Sequence, residues 1–444
     1  MTMPNKMSMR SIVFDPADAK TALAQLPQAA AVFALHGAEA HAEPYIGRTP
    51  NLRGRLERLL QPSAKHPRRL QLAGLVRRIE WRPTGSEFES LLAQFSLLQE
   101  TFGEKALERM HLRHPAFVRY LGGNRYPRIV VTHRPNVREA DWAYGPFASR
   151  AVAERYAEEA LKLFLLRRCI EDLYPNPSHP GCVYSEMKMC LAPCYQGCTD
   201  ERYAEEAAAV ESFLATRGDS RLVTLRTERD AASANLEFEQ AVALHAQVQK
   251  VEAVRALAPE LVRPMSKLRA AILQESASAD EVAVFLFEGG KLRGPEGFST
   301  IGMRIQNEQS GSSSLFAQPM ALEAIPENAG NREQGTESSE PEQVASEESS
   351  RELRAPAQSA AAKAARGALE IRMEAVLAVL EGNHDAPIAT EQQGHLALLK
   401  RWYYRPEAKR AGEIFFPDAE GRWPVKAILR GVGRVAAKAF AAQR

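Results

Sequence analysis

The chain has 444 residues, enough for two or three domains that each bury a core, which excludes a small disulfide-stapled peptide. Its 45% hydrophobic and 25% charged residues match ordinary globular protein, and no apolar run approaches the 18 or more residues of a membrane span. Net charge is only +2, from 57 basic and 55 acidic residues, so the sum points to no partner and the distribution carries the information.

The opening stretch MTMPNKMSMRSIVFDPADAK has no apolar h-region, so a cytoplasmic location and no signal peptide are expected. Residues 29–35 and 43–47 read as short strands joined by a Gly-containing turn. TPNLRGRLERLL then starts a helix, with Thr49 placed to cap it and Pro50 at its first position. AGLVRRIEWRPT reads as a third strand, and GSEFESLLAQFSLLQETF as an amphipathic helix capped by Ser86. Between Arg48 and Arg82 basic residues crowd together against only Glu57 and Glu80, which suits a phosphate-facing surface.

PRIVVT is strand-like, and SRAVAERYAEEALKLFLLRRC predicts a helix running to Cys169. All five cysteines fall between 169 and 198, a clustering that needs its own explanation. Two helices are expected next, separated at Gly218 and Asp219, the second running through LRTERDAASANLEFEQAVALHAQVQKVEAVRAL. DEVAVFLFEGGKLRGPEGFSTIGMRI returns to β-structure with Gly289 and Gly290 at a turn. From 307 to 365 the composition turns to Ser, Glu, Gln, Ala and Pro, which predicts a disordered acidic linker. Beyond it lie helical ALEIRMEAVLAVLEGN and HLALLKRWYYR, a strand at GEIFF and a basic helix. Trp402 and Tyr404, between Arg401 and Arg405, suit either base stacking or a small packed helical domain.

Three motifs in this order resemble the UvrC family, including its shorter Cho-like relatives, over roughly residues 25 to 305. The first is a GIY-YIG nuclease module, in which Ala31-Val32-Phe33 takes the place of the first tripeptide and Tyr45-Ile46-Gly47 is the intact second. The second is the phrase CLAPCYQG within the cysteine segment. The third is ANLEFEQAVALHAQVQKVE, which resembles the UVR motif.

The resemblance implies catalytic roles for Tyr45 and Arg55, with Phe33 and Gln94 at the other family positions. In the family the Glu of the helix holds one divalent metal, a Tyr helps deprotonate the attacking water, and the Arg neutralises charge on the phosphate. Here SEFESLLAQFSLL aligns without a gap and puts Gln94 where that Glu is expected, while the first Tyr has become Phe33. A neutral amide lacks the charge that makes a carboxylate a good Mg²⁺ ligand, so impaired cleavage is expected. Glu87 is on the same helix face but two turns away, about 10 Å along the axis. Arg48, Arg53 and Arg58 remain as candidate DNA contacts, because Lys and Arg grip backbone phosphate without any carboxylate.

Cytosolic cysteines so arranged are metal ligands more readily than disulfides, and spacing alone leaves Zn²⁺ and a [4Fe-4S] cluster open. The resemblance points to Cys169, Cys182, Cys190 and Cys194 as ligands of an iron-sulfur cluster, with Cys198 outside the family pattern. In the UVR motif it implies that Leu236, Phe238 and Glu239 meet the matching helices of a UvrB-like partner; the plain alternative is an amphipathic helix packed in its own domain.

The expected fold is therefore an α/β GIY-YIG module, a small mixed sheet with helices, followed by a mainly helical cysteine-containing and UVR region, a small β segment, the linker and a helical tail. The expected spans are 25–106 for the nuclease-like domain, 107–200 for the connecting region with the cysteines, 201–258 for the UVR helical pair, 259–306 for the β segment, 307–365 for the linker and 366–444 for the basic tail. The expected function is a DNA-binding nucleotide excision repair protein and structure-specific endonuclease making a single Mg²⁺- or Mn²⁺-dependent incision with impaired catalysis. DNA and UvrB are the implied partners and no membrane is involved. The alternatives are a non-catalytic DNA- and UvrB-binding paralogue or a metal-cluster regulatory protein. The family's second nuclease, an RNase H-like domain with an Asp-His-Asp set, is not found before the linker begins, so dual incision by this chain alone is not expected.

Overall fold

The structure is a computed structural model that describes residues 9–39, 41–61, 72–134, 137–301, 303, 366–382 and 388–442. It divides into two compact units, one of residues 1–270, 287–293 and 384–411, the other of 271–286, 294–383 and 412–444. Mixed α/β structure with small sheets and many helices runs through both. The linker expected over 307–365 lies outside the described residues.

The first unit opens with β1 (Arg10–Val13), α1 (Ala19–Ala24), β2 (Ala31–Gly37), β3 (Tyr45–Thr49), α2 (Leu52–Leu60), β4 (Val76–Pro83), α3 (Glu87–Phe102) and the single turn α4 (Ala106–Arg109). The sheet order is β1-β4-β2-β3, and every pairing is antiparallel. Alternation along β2 sends Ala31, Phe33 and Leu35 into a core with Leu52, Leu56 and Leu59 of α2 and with Ile79 and Trp81 of β4. Asn51 rather than Thr49 caps α2, its Oδ1 accepting from Gly54 N at 2.9 Å. Ser86 caps α3 as expected, accepting from Glu89 N at 3.1 Å. Strand β1 and helix α1, which sequence periodicity did not mark, precede the expected start at residue 25.

Next come β5 (Ala116–Tyr120), β6 (Ile129–Thr132), β7 (Ala143–Phe147), α5 (Arg150–Leu161), the turn α6 (Val183–Glu186), α7 (Asp200–Ala215), α8 (Asp219–Ala234), α9 (Phe238–Ala256) and β8 (Arg263–Pro264). The sheet order is β6-β5-β7-β8, and its face shares one core with α5, α7, α8 and α9. The helix expected to reach Cys169 stops at Leu161. Beyond it Phe164 and Leu166 are still buried, but the backbone turns to side-chain partners: Leu165 N donates to Glu206 at 2.7 Å and Arg167 N to the Tyr203 hydroxyl at 3.2 Å. Apolar residues continue past the helix, so their periodicity overstates its length. The long helix expected after Gly218 is also two helices, broken at Leu236.

The second unit contains most of β9 (Ala270–Glu275), β10 (Glu281–Glu288) and β11 (Lys291–Ser299), together with α10 (366–381), β12 (Glu413–Phe415) and α12 (Val425–Ala442). Its sheet order is β11-β10-β9-β12. Leu369, Met373 and Leu377 of α10 and Ile428, Val432 and Val435 of α12 share a core with Leu273, Val284 and Leu286 of the sheet. Between β10 and β11, Gly289 and Gly290 both have positive φ, the geometry that a two-residue hairpin requires. Helix α11 (Ala389–Tyr403) belongs to the first unit. No helix among the described residues is long and apolar enough to cross a membrane.

Candidate functional site

Register places the two tripeptide positions side by side. Phe33 of β2 pairs with Gly47 of β3, and Leu35 with Tyr45. The Phe33 ring lies across Gly47 so closely that a Cβ there would meet its Cζ at 2.8 Å, which explains the glycine. The Tyr45 ring is half-buried with its centroid 6.1 Å from that of Phe33. Phe33 itself is buried and offers no hydroxyl. Arg55 is half-buried on α2, and its side chain has no hydrogen-bond or ion-pair partner among the described residues.

The other candidate arginines are placed differently. Arg53 donates to the carbonyls of Leu26 and Ala24, both at 2.8 Å, and so closes the C-terminal end of α1. Arg58 is exposed and donates to Gly54 O one turn back. Arg48 faces the first turn of α3, 3.5 Å from Glu87. Glu87 is gripped more tightly by Arg405, whose two terminal nitrogens donate to both carboxylate oxygens at 2.7 and 2.8 Å. That fork, helped by the charges of Arg48 and Arg401 and opposed by partial burial, holds the Glu87 carboxyl below the usual carboxylate range.

Arg405 reaches this position because α11 packs on α3. Gly394 lies over the Phe95 ring, where a Cβ would come within 2.0 Å of Cζ, and His395 meets the same ring edge-on at 5.5 Å. The Trp402 ring sits 5.4 Å from that of Phe88, and its Nε1 donates to Ala411 O. Tyr404 donates to Pro146 O at 2.8 Å. Trp402 and Tyr404 are therefore packing groups, and the base-stacking option for them is set aside. Gln94 is half-buried, two turns beyond Glu87 on the same stripe of α3, with no side-chain hydrogen-bond partner among the described residues. Glu89, one turn into α3, is buried and accepts from Gly85 N at 2.8 Å beside Arg82; burial raises its carboxyl despite both partners.

The cysteines gather at a second place. Cys169, Cys182 and Cys194 line a pocket of about 400 Å³ with Glu171, Asp172 and His179. Burial, with the nearby Cys169, Cys182 and Cys194, raises the Cys190 thiol to about 11 against the single Ala192 N–H that its Sγ accepts at 3.3 Å. The buried Arg167 reaches Cys169 Sγ at 3.7 Å. All five cysteines are free and half-buried, and Cys198 lies apart from the pocket lining. Burial raises the Cys194 thiol as well, and four thiols gathered on one loop segment are a donor set whose chemistry suits a thiophilic group. Among the described residues no three His, Cys, Asp or Glu side chains are drawn into ligand geometry.

Helices α8 and α9 form a hairpin whose tip carries Leu236, Phe238 and Val242, exposed at 71%, 64% and 70%, beside exposed Glu239. The buried teeth lie further along α9 at Leu244, Val248, Val251 and Val254. Leu236 has φ +60°, with Leu236 N donating to Ser233 O and Glu237 N to Ala232 O. This is a helix-ending double hydrogen bond in which glycine is usual and leucine stands instead.

The family model of the UvrC/Cho excinuclease middle domain matches residues 117–213, the span of β5 to α7 that contains the cysteine pocket. The UvrABC system protein C of Alcanivorax borkumensis is 29% identical over 211 residues, 48% of this chain and 34% of its own length. The chain is UvrC-like. The corresponding protein of Aromatoleum aromaticum is 29% identical over 242 residues, 54% of this chain and 39% of its own. That of Ruminiclostridium cellulolyticum is 26% identical over 303 residues, 67% of this chain and 48% of its own. The chain thus spans between a third and a half of the length of these relatives. No solved structure matches it.

Sequence reasoning missed Arg405 as the partner of Glu87, because 318 residues separate them and no local pattern joins them. It also missed His395, whose ring is buried with Nδ1 accepting from Leu292 N at 3.1 Å. The only sequence signal for either was the length and apolar periodicity of HLALLKRWYYR, which announces a packed helix but not its partner.

Proposed function

We propose that this UvrC-like chain is a DNA-binding protein of nucleotide excision repair, built on a GIY-YIG endonuclease module whose single incision is impaired. The observation that carries the reading is the state of the α3 stripe. Gln94 stands where the family places its metal-binding Glu, and Glu87, the carboxylate two turns back on that stripe, is already held by Arg405 and Arg48. These residues do not fit a Mg²⁺ or Mn²⁺ ion, which needs an uncommitted charged oxygen.

What remains suits binding better than cleavage. Tyr45 and Arg55 are half-buried, and Arg55 has no partner among the described residues, so its five donors are free to meet a phosphate in bidentate fashion. Phe33 lost a hydroxyl that could have ordered water. A non-cleaving paralogue is the second reading, favoured by the same commitment of Glu87.

The four thiols would hold an iron-sulfur cluster, or Zn²⁺, through Cys169, Cys182, Cys190 and Cys194, a group that would tie the loops after α5 to α7. For the α8–α9 hairpin, the exposed Leu236, Phe238 and Val242 favour docking of a UvrB-like helical pair over packing within the domain.

The test is binding of a labelled, lesion-containing duplex, with and without UvrB. Retention that weakens in Arg55→Ala supports the reading. A chain that holds DNA in neither condition overturns it.

A further inference from the structure

Helix α11 brings more positive charge to α3 than the Glu87 latch uses. Arg405 and Glu87 neutralise each other in their two-point contact. Arg401, one helical turn earlier on α11, is exposed and has no ion-pair partner among the described residues. It is close enough to act on both Glu87 and Arg48. Arg48 is also partly withdrawn from water, and its one carboxylate neighbour, at 3.5 Å, is the one Arg405 has taken.

Arg401 and Arg48 thus act on each other while the carboxylate they share, Glu87, is engaged by Arg405. Lys400, beside Arg401 on α11, is half-buried near Arg113, and no carboxylate is among the groups acting on it. Like charges kept together repel unless an anion lies between them.

We infer that α11 completes a phosphodiester-binding surface with β3, in which Arg401 and Arg48 contact the DNA backbone and the Arg405–Glu87 fork fixes α11 in the register that places them together. Arg401 sits some 350 residues downstream of β3 in sequence, so this surface exists only when α11 is docked on α3 through Gly394 and Trp402. A backbone phosphate suits it because guanidinium forks match its oxygens and because no base-reading group is required. The inference deepens the DNA-binding role proposed above and rests on it.

The experiment is fluorescence anisotropy of the full chain on a labelled duplex across a salt series. Arg401→Ala should lower affinity roughly eightfold at 0.1 M salt and reduce the slope of log K against log salt by about 0.9, the signature of one lost phosphate contact. Arg401→Lys should restore most of both. Arg422→Ala, which removes the same charge from an exposed residue occupied by Asp418 and Glu420, should leave the slope unchanged. An Arg401→Ala protein with the parent's affinity and slope, or one matched by Arg422→Ala, overturns this surface while leaving the proposed function standing. A parent chain that binds no DNA overturns both.

Discussion

Arg405 holds Glu87 by both carboxylate oxygens, at 2.7 and 2.8 Å, across 318 residues of chain. That contact fastens the end of α11 to the start of α3 and leaves the Glu87 carboxylate committed to a cation. Both side chains are partly exposed, so the pair itself stabilises only modestly, and its consequence is positional.

Replacing Arg405 by Ala should therefore lower stability by only about 0.5 to 1 kcal/mol. The Glu87 carboxyl lies below its ordinary range when folded, so its contribution is present above the unfolded pKa and is lost as pH falls through the folded one. Denaturant melts of parent and Arg405→Ala should converge in acid. A gap that stays constant down to pH 3 would contradict this.

His395 also weakens the fold in acid, but because its charged form is disfavoured rather than held. Burial among α3 and α11 side chains, with Lys291 nearby, lowers it from 6.5 to about 3. The unfolded chain takes up this proton first as pH falls, so stability is full above about pH 6.5 and declines toward pH 3, by up to a few kcal/mol. His395→Asn, which keeps an acceptor for Leu292 N, should flatten that part of the pH profile. An unchanged acid slope in the variant would show that other groups govern it.

Leu236 occupies a left-handed position at the hairpin tip, where a glycine would relieve roughly 1 kcal/mol. Leu236→Gly should raise the melting temperature while weakening recovery of UvrB in co-purification, and Phe238→Ala should weaken recovery at unchanged stability, since Phe238 is mostly exposed. Equal recovery of UvrB by parent and both variants would leave the exposed tip without a partner role.

Protein purified without oxygen should carry iron and a visible absorption band that Cys190→Ser diminishes. Zinc without colour would reassign the group, and protein holding neither metal would remove the ligand role of the four cysteines.

The parts of this architecture that were legible in the sequence are those fixed by local rules. Ser86 begins a helix by capping, as does Asn51 two residues beyond the expected Thr49, Gly289 and Gly290 turn a hairpin, and Gly47 is explained by its register with Phe33. The tripeptide strands and the cysteine segment could be read because their residues lie close together in the chain. Strands β1, β5 and β7 are only four or five residues long, too short for a clear alternation, and the overlong helix at Cys169 came from apolar residues that bury without being helical. The α3–α11 pairing depends on a glycine fitting one ring, Gly394 over Phe95, which no periodicity encodes.

If cleavage is impaired because the α3 stripe lacks a free carboxylate at position 94, restoring that carboxylate restores nicking. The direct measurement is nicking of a labelled, lesion-containing duplex in Mg²⁺ or Mn²⁺ by the parent, by Gln94→Glu and by Gln94→Glu with Arg55→Ala. Little nicking by the parent, a rise of at least about tenfold when the carboxylate is restored, and loss of that gain when Arg55 is removed are expected. Vigorous Arg55-dependent nicking by the parent, or no gain from Gln94→Glu, would contradict it.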